Sequence, residues 1–161
     1  KHLQESLLRS NAHKGASFLE IYQNCNIFND GAFEIFTDKA SKPMETLFLE
    51  QGKPLVFGAN KEKGIKLDGF KPVVVDLADG ASADDCWIHD DHDFYKAQIL
   101  VRMFDDPTIA GHLPRPFGVF YETERACYED QLQLQIDEVI AKKGLGDLNK
   151  LLRGGETWTI S

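Results

Sequence analysis

Leu3, Leu7, Leu8 and Ala12 recur at helical spacing, so the chain is expected to open with an amphipathic helix. Gly15 follows His13 and Lys14, a helix exit in which basic side chains meet the negative helix end. The apolar run Ala16 to Tyr22 then reads as a buried strand feeding a polar loop, Gln23 to Asp30. Gly31 to Phe36 is a short apolar segment closed off by polar residues and Pro43. Leu55–Gly58 and Gly64–Leu67, on either side of Asn60-Lys61-Glu62-Lys63, predict a β-hairpin with a charged loop. Val73-Val74-Val75 predicts another short strand, and Asp79-Gly80 a turn. Further on, Ala97, Leu100, Val101 and Phe104 form one helical stripe; Leu132, Ile136, Val139 and Ile140 form a second, which Gly144 should cap. The alternation of helical and extended segments predicts an α/β fold, and there is no internal repeat or low-complexity stretch.

Composition narrows the function classes. A hydrophobic content of 42% and a charged content of 27% are those of an ordinary globular chain, and 161 residues suffice for one domain burying roughly 70% of its unfolded surface. No apolar stretch approaches the roughly 20 residues that cross a bilayer, and no signal-peptide pattern opens the chain, so a soluble protein is expected. A net charge of -8, from 26 acidic and 18 basic side chains, should repel nucleic acid. Cys25, Cys86 and Cys127 are three widely spaced cysteines without a Cys-x-x-Cys, as suits a reducing cytoplasm rather than a disulfide framework.

Two places carry candidate chemistry. Cys25 sits in the loop at the carboxyl end of a predicted strand, where α/β proteins gather ligands. Its thiolate could serve as a nucleophile or as a ligand for zinc or an iron-sulfur cluster; the plain alternative is an inert, half-buried thiol. His89-Asp90-Asp91-His92-Asp93 has the residue types of a zinc, iron or manganese site, but its imidazoles would converge only on a helix. Capping of the following helix explains the carboxylates more simply. Cys86 beside Trp87 reads as core packing, and Cys127 as a residue near a helix start. Arg115, between Pro114 and Pro116, is expected in an extended segment as a solvated or partner-facing charge, and Trp158 as an anchor for the tail.

Three stretches share a common likeness: Ala12 to Asp30 around Cys25, Pro114-Arg115-Pro116-Phe117-Gly118-Val119-Phe120, and Leu148 to Trp158. In that order they resemble the late part of the β subunit of 2-oxoacid:ferredoxin oxidoreductases, closest to the 2-oxoglutarate type. The resemblance implies the C-terminal part of a thiamine-diphosphate-binding fold with an appended extension, divided at 1–38 and 39–161. It also implies that Cys25 is one ligand of a [4Fe-4S] cluster whose other ligands lie upstream. Many relatives carry proline after this cysteine, where this chain has Asn26.

The chain has no Gly-Asp-Gly with a downstream Asn to hold thiamine diphosphate through Mg2+; Asn29-Asp30-Gly31 lacks the leading glycine. The first residue is Lys1, and the opening helix begins in mid-flow. The expectation is therefore a portion of a longer subunit, inactive alone. The implied activity of the whole is decarboxylation of a 2-oxoacid to an acyl-CoA, with electrons passing to ferredoxin, in a cytoplasmic complex with an α subunit. Acidic ferredoxin would need a positive dock elsewhere in the complex. Two other readings stand beside it: a non-catalytic subunit-interaction module, and a small metal-dependent hydrolase built on His89, Asp90 and His92.

Overall fold

The structure, a computed structural model, describes residues 1–103, 111–155, 158 and 160. They form two compact units, Lys1–Ala12 with Ser17–Thr123 and His13–Ala16 with Glu124–Ser161. Helices alternate with both parallel and antiparallel strands, so the expected α/β class is borne out. Among the described residues no helix is long and apolar enough to cross a membrane.

The larger unit opens with α1 (His2–Ala12). A 3-10 turn at Glu34–Phe36 and the single turn α2 (Lys42–Glu45) lead into β1 (Thr46–Phe48). A three-stranded antiparallel sheet follows, made by β2 (Val56–Phe57), β3 (Lys63–Asp68) and β4 (Lys71–Asp76) in that order. The hairpin expected around Asn60 to Lys63 is present, pairing Val56 with Gly64 and Phe57 with Lys63. The valines expected to be extended lie in β4, where Val75 faces Gly64 and Val73 faces Lys66. Gly69, at a φ of +61°, makes the tight turn between β3 and β4 that a side chain would resist.

Alternation along β3 explains the core. Ile65 is fully buried and Leu67 packs behind it, while Lys66 and Asp68 turn the other way. Ile65 joins Leu47, Leu49, Leu55, Phe57, Trp87, Leu100 and Met103 in one apolar cluster. Cys86 is buried as expected, with its sulfur filling the space over Gly64 where a Cβ would otherwise stand.

Two further elements complete this unit. α3 (Phe94–Leu100) buries Ala97 and Leu100; Val101 is its C-cap, and Phe104, the last position of the expected stripe, lies outside the described residues. β5 (Arg115–Phe117) lies parallel to β1, with Leu47 opposite Pro116. The extended conformation expected from the two prolines is thus found, inside a parallel pair.

The strand expected at Ala16 to Tyr22 does not form. Residues 16–24 have no regular structure, and Phe18 is 91% exposed. A strand needs a neighbour to take its N–H and C=O groups; among the described residues the nearest ladder element is an isolated bridge from Cys25 to Asn29.

α1 forms as predicted but buries none of its residues. It is attached by an edge-on contact of the His2 and Phe48 rings at 5.0 Å and by ion pairs: the Arg9 guanidinium lies 2.6 Å from an Asp91 carboxylate oxygen and 2.9 Å from one of Glu122. Asp91 is 1% exposed, so removing the cation strands a buried charge. Arg9→Ala should cost about 2–3 kcal/mol in urea denaturation, less than the roughly 3–5 kcal/mol of a fully buried pair because the guanidinium is half-exposed. Arg9→Lys should restore part of it, and a loss below about 0.5 kcal/mol would mean that water takes the place of the guanidinium beside Asp91.

The smaller unit contains α4 (Tyr128–Lys143) and α5 (Leu148–Arg153). Gly144 ends α4 at a φ of +77°, as the sequence predicts, and its N–H bonds to Ile140. Asp147 caps α5 through the N–H groups of Asn149 and Lys150. Of the tail stretch, Glu156 and Thr157 lie outside the described residues, while Trp158 is 85% exposed.

Candidate functional site

Cys25 occupies a tight loop closed on itself. The Asn29 N–H donates to the Cys25 carbonyl at 2.9 Å. Asn24 pins both ends of the turn: its amide nitrogen donates to Asn26 Oδ1 at 2.8 Å and to Asp30 Oδ1 at 2.9 Å, and its oxygen accepts from the Gly31 N–H at 2.9 Å. Asn26 thus stiffens the loop through its side chain.

The consequence falls on the sulfur. The backbone N–H groups of Phe28 and Ile27, and less strongly that of Asn29, hold the Cys25 thiol below its ordinary value. A thiol whose charged form is favoured in this way suits a thiolate ligand, because nearby N–H groups stabilise the charge and tune a bound metal centre. Ile27 and Phe28 turn their side chains outward, 82% and 89% exposed, forming an apolar rim beside the thiol.

The arrangement fits one thiolate ligand of a soft centre and supplies no others. Cys86 lies over Gly64, its thiol pushed up by burial, and Cys127 belongs to the smaller unit. Among the described residues no three His, Cys, Asp or Glu side chains gather where they could hold a metal ion. The two environments predict different reactivity. Iodoacetamide at neutral pH should modify Cys25 well before Cys86, which should react only on unfolding. Equal rates by peptide mapping would show that the N–H groups do not act on the sulfur.

His89-Asp90-Asp91-His92-Asp93 is not a converging metal cluster. His89 is 2% exposed and bonds through Nε2 to the Val119 carbonyl at 2.9 Å, whereas His92 bonds through Nδ1 to the Glu122 carbonyl at 2.9 Å. The segment is not helical, so the imidazoles reach different points of the irregular stretch 119–122. Asp90 accepts from the His92 N–H and from Gln51, both of which hold its carboxyl below the usual range. Asp93 caps α3 by accepting from the Lys96 N–H at 3.0 Å, so the capping explanation is borne out for that residue. The hydrolase reading loses its geometry: these side chains clamp backbone rather than face a common point.

Arg115 corrects a second expectation. It is not a solvated charge: its guanidinium donates to the Tyr22 hydroxyl at 2.7 Å and lies over the Tyr22 and Phe36 rings, 5.8 and 5.6 Å from their centroids. Tyr22 stacks on Phe33 at 4.6 Å and meets Phe117 edge-on at 5.7 Å. Sequence reasoning passed over this cluster; the hint was the density of aromatics on both sides of the Cys25 loop.

Comparison with known proteins adds a likeness along the sequence. No protein-family model matches the chain, and no solved structure matches it. It is similar to the 2-oxoglutarate oxidoreductase subunit KorB of Mycobacterium tuberculosis, 33% identical over 169 aligned residues. The match takes in 98% of this chain and 42% of that subunit, so the chain spans well under half of its relative. The likeness therefore extends along almost the whole sequence, the Cys25 loop and the Pro114 to Phe120 segment included, and the chain is similar to part of a 2-oxoglutarate oxidoreductase subunit.

Proposed function

We propose that this chain is the C-terminal portion of a 2-oxoacid:ferredoxin oxidoreductase β subunit, of the 2-oxoglutarate type, in which Cys25 is one ligand of a [4Fe-4S] cluster. The observation that carries the reading is the likeness along 98% of the chain to a 2-oxoglutarate oxidoreductase subunit, with Cys25 placed in a loop closed on itself. Similarity to a subunit named for 2-oxoglutarate supports the substrate class. In the complete subunit, thiamine diphosphate with Mg2+ supplies the decarboxylation chemistry and the cluster carries single electrons away. Residues 1–38 then close the thiamine domain and 39–161 form its extension. The other parts of the reading are an α-subunit partner, coenzyme A as acyl acceptor, ferredoxin as electron acceptor and a cytoplasmic setting.

This portion contributes a place for one ligand. The loop fixes where Cys25 Sγ stands, and the N–H groups of Phe28, Ile27 and Asn29 stabilise its charge. Ile27 and Phe28 offer apolar cover that would keep water from a centre bound there.

The test is an assay of the full-length subunit with its α partner for coenzyme-A-dependent reduction of a viologen dye. Reduction with 2-oxoglutarate well above that with pyruvate is expected. No reduction with any 2-oxoacid by an iron-loaded complex would overturn the reading. The alternative of a subunit-interaction module has one observation in its favour: α4 buries none of its residues and leaves Leu132, Ile136 and Val139 at least 40% exposed.

A further inference from the structure

Two segments far apart in sequence meet at the base of the Cys25 loop. Tyr22 precedes Cys25 by three positions, and Phe33 and Phe36 follow soon after the loop closes at Gly31. The loop therefore leaves and re-enters the body of the unit through one aromatic gate. Tyr22 and Phe33, its two posts, stack with an interplanar angle of 17°. From the other side comes β5: Phe117 meets Tyr22 and Phe36 edge-on at 5.7 and 5.6 Å, and Arg115 bonds the Tyr22 hydroxyl while lying over the Tyr22 and Phe36 rings.

β5 is itself rigidly held. It pairs in parallel with β1 from Thr46–Arg115 to Phe48–Phe117, and Pro116 is buried opposite the fully buried Leu47. Residues 23–31, in contrast, are mostly exposed and contribute no side chain to the apolar core. What fixes the loop to the body is accordingly the gate and its guanidinium.

We infer that Arg115 is a positioning residue for Cys25: by clamping Tyr22 and Phe36 it sets the base of the loop, and through it the direction of the thiol and of the N–H groups around it. The inference rests on the proposed ligand role of Cys25 for its functional meaning, but the clamp itself is a property of this chain. Arginine suits the position for a physical reason. A planar guanidinium can lie on aromatic faces and donate in its plane at the same time, which the compact ammonium of lysine does less well. The hydroxyl of Tyr22 gives the donated hydrogen bond a direction that ring stacking alone lacks.

The experiment uses the full-length subunit with Arg115→Ala, Arg115→Lys and Tyr22→Phe, reading amide hydrogen exchange by mass spectrometry alongside the electron paramagnetic resonance spectrum of the reduced protein. Arg115→Ala should speed exchange of the 23–31 peptide about tenfold, as expected for loss of a charge-assisted hydrogen bond, with β3 and β4 unchanged. Tyr22→Phe keeps the stack and should give a smaller acceleration, and Arg115→Lys should recover part of the protection. The resonance spectrum should broaden or shift in Arg115→Ala and return toward wild type in Arg115→Lys. Unchanged exchange at 23–31, or equal acceleration throughout the unit, would overturn the clamp, and Tyr22→Phe decides the matter if Arg115→Ala does not fold. Loop-specific acceleration in a protein that holds no iron even as wild type would leave the clamp standing and remove the cluster reading.

Discussion

Cys25→Ser in the full-length subunit, assembled with its partner, should abolish the iron-sulfur signature and cut 2-oxoglutarate-dependent dye reduction beyond the roughly 10–100-fold typical of changes around a metal's ligands. The reason is chemical rather than steric. Serine fits the same loop, but its hydroxyl is a hard and feebly acidic donor where the loop is arranged to stabilise a soft thiolate. Cys25 contributes nothing to the apolar core, so the unfolding free energy of the metal-free protein should change by no more than about 0.5 kcal/mol. That separation makes the experiment sharp: a variant of normal stability with normal iron content and normal dye reduction would remove Cys25 from the site altogether.

Gly118→Ala should be the most damaging small substitution in the larger unit. Gly118 has a φ of +141°, which disfavours any L side chain, and a Cβ built there would stand 2.8 Å from Leu49 Cβ and 2.9 Å from the Leu49 carbonyl oxygen. Backbone cannot step aside as a flexible side chain can. Leu49 is additionally tied to this place by donating its N–H to the Phe117 carbonyl at 2.8 Å. Strain and overpacking together should cost about 3–4 kcal/mol. Urea denaturation followed by tryptophan fluorescence would measure it, since Trp87 lies in the same core. A loss below about 1 kcal/mol would mean that β1 and β5 can separate freely here. The glycine of the Pro-x-Pro-x-Gly-Val-Phe segment thus has a structural explanation: no other residue lets the chain pass so close to Leu49.

How much of this was legible in the sequence depended on the range of the forces involved. The β2–β3 hairpin and α4 were readable because their signals are local: a charged loop between short apolar runs in one case, and a 3.6-residue stripe closed by Gly144 in the other. The parallel pair of β1 and β5 was not readable as a pair. Each strand is three residues long, too short for a period to register, and partners separated by almost seventy positions are chosen by the core.

Ala16 to Tyr22 misled for the opposite reason. Its apolar residues suggested burial in a sheet, but apolarity says nothing about whether a neighbouring strand is present to accept its hydrogen bonds. Cys25 was visible as a thiol in a loop. The closed shape of that loop was not, because it depends on backbone angles set by the Asn24 bonds. Arg115 was misjudged because its flanking prolines speak only of extended backbone, while its aromatic partners sit some eighty to ninety positions earlier.

The notch at Gly64 bears on how the sequence can drift. The Cys86 sulfur stands where a side chain at position 64 would begin, so the two positions share one volume. An alanine at 64 becomes acceptable only with something smaller than cysteine at 86, and a bulkier residue at 86 is refused while the strand keeps its place. The two sites should therefore be inherited as a coupled pair, their summed size held nearly constant across relatives even where each residue varies.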